Sequence, residues 1–510
     1  MTRRLTALCL ALVLSITLSA CWESEPEPDD AFWGDDPTQS DETPEKPPVQ
    51  IAVFTLPCLS GQTLDPVTCI DGVQQTVGAL LYEGLFALDD TFTPQPVLCE
   101  SYQYNAATLT YTFTLCSGVT FSDGSTLTAA DVLATYRRAA ESERYGARFA
   151  QVTAMRAVST TALTVTLARA NEAFPALLDI PIVKSGTEKN LVPAGTGPYY
   201  YVTDAGGEPA LLASPSWRGG ALPLSRIALS AVKDNDTALS LFATHTVHLL
   251  RLDPTGTGVR TVGGAVQLTS VPTTVMQFLG FNVHRAPLAN GAVRRAMSGM
   301  LDRATMTSSL LSGHGAPAQF PVSPLSSAYP RGSEFRMSAK DYAAALEGAG
   351  VTASRPRSLT LLVNEENSFK RAIAESVCTQ LSTDALTVSV RALPWEDYLA
   401  ALESGSFDLY LGETRLSADW NAGALLETDG ALNFGGYEEE TLAAHHAAFL
   451  ATGSAAYFAA FANETPFAPL LFKSEAILTP TGLVEGVTPS PSNVFAGLEG
   501  WIFHLSDTTE

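Results

Sequence analysis

The chain has 510 residues and carries 53 acidic side chains against 30 lysines and arginines, a formal charge of −23. That balance excludes a nucleic-acid partner, whose phosphates need a basic stripe. The length is enough for two or three domains with sizeable cores.

At the N-terminus, Arg3 and Arg4 precede an almost wholly apolar run from Leu5 to Leu18, too short for a spanning helix of roughly 20 residues. It reads as an export signal over 1–20. The ending Leu18-Ser19-Ala20-Cys21 resembles the lipobox of bacterial lipoproteins, in which the signal is cut before the cysteine and the cysteine carries the lipid. Cys21 is therefore expected to be a lipid anchor at a cell membrane, facing outside, on the extracellular surface or in a periplasm. Residues 21–48 follow as a tether: Trp22 to Pro48 hold ten acids, one lysine and six prolines. Such a composition cannot bury enough apolar surface to offset the entropy of ordering. The signal's two arginines and the tail's net −9 leave the body, from Val49 onward, at −16 of the −23.

The body alternates strand-like with helical runs, the pattern of a mixed α/β protein. "IAVFTL" comes first. "CESYQYN" and "LTYTFTLC" then alternate about a turn at Asn105 to Thr108, predicting a hairpin that sets Cys99 roughly opposite Cys116. Cys58 and Cys69 bracket one short loop. Outside the cytoplasm disulfides are permitted, so Cys58–Cys69 and Cys99–Cys116 are expected, with Cys378 a free thiol on the amphipathic helix "KRAIAESVCTQL". The cysteine spacings do not match a zinc site. Thr128 three residues before Asp131 marks the start of the helix "TAADVLATYRRAA", and Gly348 and Gly350 mark the end of another. Further strands are expected at "LTVTLA", "VMQFLGFNV", "LTLLVN" and "FDLYLG", and further helices at "GAVRRAMSGMLD" and "EEETLAAHHAAFLA". His445 and His446 are adjacent on the last of these and cannot both face one metal. His245 and His248 could chelate on a helix but not on a strand. No P-loop, HExxH or G-x-S-x-G elbow occurs.

Several stretches in order resemble one family. "TLDP" (Thr63 to Pro66), "LLYEGLFALD" (Leu80 to Asp89), "YTFTLCSGVTFSDGSTLTAADV" (Tyr111 to Val132) and "PAGTGPYYY" (Pro193 to Tyr201) resemble the solute-binding proteins of peptide/nickel ABC importers. "LGFNVHRAPLANGAVRRAMSGMLDR" (Leu279 to Arg303), "LPWEDYLAALESGSFDLYLGE" (Leu393 to Glu413) and "ALNFGGY" (Ala431 to Tyr437) continue the likeness. Read physically, these motifs are mostly scaffold: turns, a helix cap, and a tight connection at Gly195, Gly197 and Pro198.

The resemblance implies a two-lobed periplasmic-binding-protein-like fold of type II, in the large cluster with an extra subdomain, closing over a ligand at a hinge. By that analogy residues 49–271 form the first lobe, with a subdomain inserted at about 71–182. Residues 272–472 form the second lobe, and 473–510 return to the first. The implied function is a lipid-anchored receptor, monomeric and without cofactor or metal, that captures an oligopeptide or similar small solute and delivers it to a permease. A sensing receptor without transport and a secreted hydrolase on the same shell are the alternatives; the motifs announce no enzyme. Peptide-binding members hold the ligand's α-amino group with an aspartate in Trp-x-x-Asp. The matching piece here is Leu416-Ser417-Ala418-Asp419, with Leu416 in place of the tryptophan. The resemblance thus points to Asp419, which is equally suited to capping the helical piece "WNAGALLE". Trp420 is a stacking or core residue, and Arg415 a partner for a ligand carboxylate or a solvated cation.

Overall fold

Two strands, Val266–Phe281 and Phe467–Pro480, run antiparallel for most of their length and tie the molecule together. They belong to a computed structural model that describes residues 51–256 and 265–506. Cys21, the signal and the tether lie outside the described residues. At 16 and 14 residues these strands are far longer than the usual five or six. Their pairing breaks between Pro272 and Met276. Pro272 has no N–H to donate, and Thr273 fills the gap. Its hydroxyl donates to the Lys473 carbonyl at 2.7 Å and accepts from the Val275 amide at 3.1 Å.

On one side of the break lies a four-stranded sheet in the order Thr55–Leu59, Arg226–Val232, Pro209–Ala213, Tyr199–Thr203, its first pair parallel and the rest antiparallel. The first strand begins at Thr55, later than the apolar run "IAVFTL" implied; Ile51 and Phe54 instead enter the core from the approach. Helix Gly72–Leu81 starts at Asp71, whose carboxylate accepts from the amides of Val73 and Gln74. Its buried Val77, Leu80 and Leu81 join Tyr199, Ile227, Ile477 and Trp501 in one core.

A second four-stranded sheet, antiparallel throughout, runs Cys99–Asn105, Thr110–Leu115, Ala162–Leu167, Val152–Ala157. Its period-2 alternation puts Tyr111, Phe113, Leu163 and Val165 on the face that meets helix Ala129–Glu141. That helix starts as expected: the Thr128 amide and hydroxyl both donate to Asp131.

The expected disulfides are not formed. All five body cysteines are thiols. A bulge between Cys99 and Ser101 sets Leu115, not Cys116, opposite Cys99. The two thiols border the same core but turn apart, Cys99 to the Ser101 carbonyl at 3.2 Å and Cys116 to the Val97 carbonyl at 3.5 Å. The Cys58 thiol donates to the Gln74 side chain at 3.3 Å, while Cys69 turns to the Asp71 carbonyl. Burial pushes the Cys58, Cys99 and Cys378 thiols each up to about 11. Cys378 faces the core from helix Ser368–Leu381.

The long strands belong to a seven-stranded sheet that spans the break: Leu250–Leu252 pairs on the near side, and Gly315–Pro317, Leu409–Arg415, Arg357–Asn364 and Leu386–Leu393 complete it. Helices Gly291–Met300, Ala339–Gly348 and Ser368–Leu381 cover one face. Helices Trp395–Glu403, Glu440–Thr452 and Ala456–Glu464 contribute to the other. Leu88, Phe92 and Ala176, which precede the break, pack into this second core.

The quoted motifs hold each other. The "LLYEGL" glutamate, Glu83, accepts from Thr196 at 2.8 Å, from the Trp217 indole at 3.2 Å and from Arg218 at 2.9 Å. The Gly197 amide donates to the Leu81 carbonyl at 2.9 Å. A Cβ at Gly197 would sit 2.5 Å from the Leu81 carbonyl carbon, and one at Gly195 only 2.1 Å from its oxygen. Backbone stands against backbone here, so nothing can move aside cheaply. Gly197→Ala is expected to cost on the order of 2 kcal/mol or more, read as a lowered urea midpoint at unchanged slope; a midpoint within error of the parent would contradict this packing.

Candidate functional site

The segment after helix Ala129–Glu141 carries two arginines four apart, Arg144 and Arg148, with Tyr145 between them. Both guanidinium groups lie over the Tyr145 ring, at 4.8 and 5.0 Å from its centroid. Tyr145 is itself buried, so the pair is held from behind. Arg144 donates to the Pro66 and Cys69 carbonyls and to Gln75, at 3.1 to 3.2 Å. Arg148 pairs with Asp179 and donates to the Leu177 carbonyl. Burial works against the Arg148 charge, but Asp179 outweighs it and leaves the guanidinium above its ordinary value.

These residues form one wall of a cleft of about 820 Å³. That is the size range of small-molecule sites. The facing wall comes from strands at the break: Arg251, Arg415 and Glu475. Glu475 gives one oxygen to Arg251 and the other to Arg415, the latter at 3.6 Å. Desolvation in the crowded wall pushes Arg415 below its ordinary value, and Arg251, Arg144 and Arg148 push the same way against Glu475, although 61% of its side chain stays in contact with solvent and weakens the effect. Behind this wall, Lys473 lies 2.5 Å from Asp253 and 3.3 Å from Glu413, and Lys370 lies 3.6 Å from Glu413. Burial opposes ionisation of Glu413, yet the two lysines hold its carboxyl below the usual range.

Arg148 also lines a smaller chamber of about 390 Å³ that holds Asp419. Asp419 is only 3% exposed. It accepts from the Asn171 side chain at 2.8 Å, from the Ser417 hydroxyl, and from the Asn421 amide at 3.3 Å. Asn171 precedes the break and Asp419 follows it, so this bond joins the two lobes. On the far side of the same loop, the His446 Nε2 accepts from the Ala422 amide at 3.1 Å.

Of the residues picked out in the sequence, Arg415 faces the cleft and Asp419 the chamber. Leu416 and Trp420 line neither cavity. Leu416 is held by Thr274, and Trp420 packs edge-on between Phe92 and Phe472 while donating to Ser326. The adjacent histidines diverge as expected, His446 inward and His445 outward. His245 and His248 lie in a turn, where His248 accepts from the Thr55 amide and donates to the His245 carbonyl, leaving no nitrogen for a metal. Among the described residues no group of three or more His, Cys, Asp or Glu is placed to hold a metal ion, and no helix is long and apolar enough to cross a membrane. Sequence reading missed Arg144, Arg148, Arg251 and Glu475. The one local signal was the pair of arginines flanking a tyrosine in a chain poor in cations.

Residues 93–431 match the model of the bacterial extracellular solute-binding proteins, family 5 Middle. The chain belongs to that family. The match includes every cleft arginine but stops short of Glu475. The glutathione-binding protein GsiB of Escherichia coli (strain K12) is 28% identical over 277 residues, 51% of this chain and 54% of that protein. The chain thus spans about half the length of the curated relatives it matches. Among solved structures, the substrate-binding protein CtaP of Listeria monocytogenes superposes with a TM-score of 0.70 at 19% identity, over 89% of this chain and all of that one. The oligopeptide-binding protein AppA of Bacillus subtilis, in complex with a nonapeptide, gives 0.59 at 19% identity, over 90% of this chain and all of that one. The two-lobed α/β fold is therefore the family's.

His446 supplies a pH-dependent anchor for the Asp419 loop. Burial lowers its pKa to about 4, so the ring is neutral in the folded protein and charges near 6.5 when unfolded. The unfolded state then binds the extra proton, and stability is lost as pH falls from about 6.5 to about 4, by roughly 3 kcal/mol in all. His446→Gln should flatten that part of the urea-midpoint profile; an unchanged profile would remove His446 as its source.

Proposed function

We propose that residues 49–510 are the receptor of an ABC importer, anchored outside the cell by lipid on Cys21, which captures a short peptide or similar small solute and hands it to a permease. What carries this reading is a cleft of ligand size beside the break in the two connecting strands, lined by charged side chains of the first lobe and, from beyond the break, by Arg415. The break at Thr273 is the hinge. Ligand contacts to first-lobe arginines and to Arg415 and Asp419 of the second lobe favour the closed form over the open one without any covalent step. The family supports uptake of this kind, and the name of GsiB suggests a tripeptide as the first solute to try.

Within this reading Asp419 takes the ligand's α-ammonium. The Asn171 amide marks where a donor fits against it, and an ammonium at that position would make a charge-assisted hydrogen bond in a water-poor chamber. Native mass spectrometry of the body purified without denaturation is expected to find extra masses fitting short peptides; no mass shift after incubation with peptides or glutathione would reject the receptor reading. Asp419→Asn should weaken free-amine peptides by about tenfold more than N-acetylated ones, the loss of one such bond, and equal weakening would remove the amine from Asp419. Separately, Cys21→Ser should move the full-length protein from the membrane fraction to the soluble one; retention in the membrane would dispose of the lipid anchor.

A further inference from the structure

The cleft is charged out of balance. Four guanidinium groups line it, those of Arg144, Arg148, Arg251 and Arg415. Arg148 is matched by Asp179. The other three have one carboxylate among them, Glu475, already divided between Arg251 and Arg415. Arg144 donates only to two carbonyls and an amide side chain, all neutral. Of the remaining acids in the lining, Asp253 is engaged by the buried Lys473, and Asp236 stands exposed at the rim, where solvent and salt screen it. Arg144 and Arg415 are exposed as Asp236 is, so the cleft keeps a surplus of one positive charge with Asp236 counted and two without it, in a body that is otherwise strongly acidic.

We propose that the cleft arginines, Arg144 on one wall and Arg251 and Arg415 with Glu475 on the other, form a subsite for ligands that bring two carboxylates, such as peptides with a free C-terminus and an acidic side chain. The inference rests on the receptor reading and adds the class of solute. Guanidinium forks suit the purpose because they grip carboxylates with two parallel N–H donors and stay charged when water leaves. They are also held in place beforehand. Arg144 is braced by Tyr145 and its three acceptors, and Arg251 by Glu475, so little side-chain freedom remains to be lost on binding. Mutual repulsion among the arginines, felt at Arg415, is relieved when a second and third carboxylate enter. Apolar contributions from Leu64, Ile70, Leu239 and Val494 along the same cleft leave room for the uncharged part of such a ligand.

The test is a calorimetric comparison on the ligand-stripped body of Ala-Ala-Glu, Ala-Ala-Ala and Ala-Ala-Ala amide, with tricarballylate as a non-peptide acid. The expected order is Ala-Ala-Glu tightest and the amide weakest, at least tenfold apart at each step, with the steps shrinking in Arg415→Gln and partly restored in Arg415→Lys. Arg415→Gln leaves the Arg251–Glu475 pair intact, and an unchanged thermal midpoint checks that it folds. Equal affinity for all three peptides would overturn the two-carboxylate subsite while leaving the peptide receptor standing. Binding of tricarballylate but of no peptide would overturn the peptide reading and sustain the subsite. Binding of none of the four would overturn both.

Discussion

Everything in this molecule is arranged around one interrupted ladder. The strands Val266–Phe281 and Phe467–Pro480 are the shared members of two sheet regions, and their pairing lapses where Pro272 cannot donate. A continuous ladder would have fused the halves into a single rigid slab. Instead Thr273 closes the gap with its own hydroxyl, which satisfies the Lys473 carbonyl while interrupting the regular pleat. Part of one cleft wall, with Lys473 behind it, is set within a few positions of that gap. Glu475 and Lys473 sit on one strand, and Arg415 stands opposite Val275 of the other.

Much of the scaffold was legible because its signals are local. Thr128 and Asp131 meet as their spacing demands, the hairpin turns between Asn105 and Thr110, and Gly350 ends its helix with a positive φ. Motifs such as "LLYEGL" and "PAGTG" also read correctly as scaffold, although their mutual contact through Glu83 joins residues more than a hundred positions apart, which no periodicity announces. Errors came where one residue of register decides. A bulge of one residue at Cys99 slips the pairing so that Leu115 takes the place expected for Cys116, and alternation along the strand gives no warning of it.

The site was harder for a different reason. A motif match brought out Arg415, Leu416, Asp419 and Trp420 as neighbours in sequence, yet the backbone turns sharply there and Trp420 takes a φ of 61°. That turn sends Arg415 to the cleft, Asp419 to the chamber, and Leu416 and Trp420 to the core. The partners of Arg415 come from residues near 145, 251 and 475, brought together only by the sheet order. Net charge misled in the same way. A surplus of acid over the whole chain says nothing about the sign inside a cleft where arginines are gathered and most of the nearby acids are already paired.

Phe92 and Trp420 have a mechanical consequence. Both are aromatic, both hold a left-handed backbone conformation that bulky residues rarely adopt, and they meet edge to face at 5.1 Å from opposite sides of the break. Phe92 is 3% exposed, reaching from the turn between strands Phe86–Leu88 and Pro94–Pro96 into the core of the other lobe. Swinging the lobes straight apart would drag that ring into water at a cost of about 2–3 kcal/mol. A rotation that keeps the ring seated avoids the loss. On the receptor reading proposed above, with the break at Thr273 as hinge, the Phe92–Trp420 contact would act as a second pivot and confine lobe travel to the axis between the two.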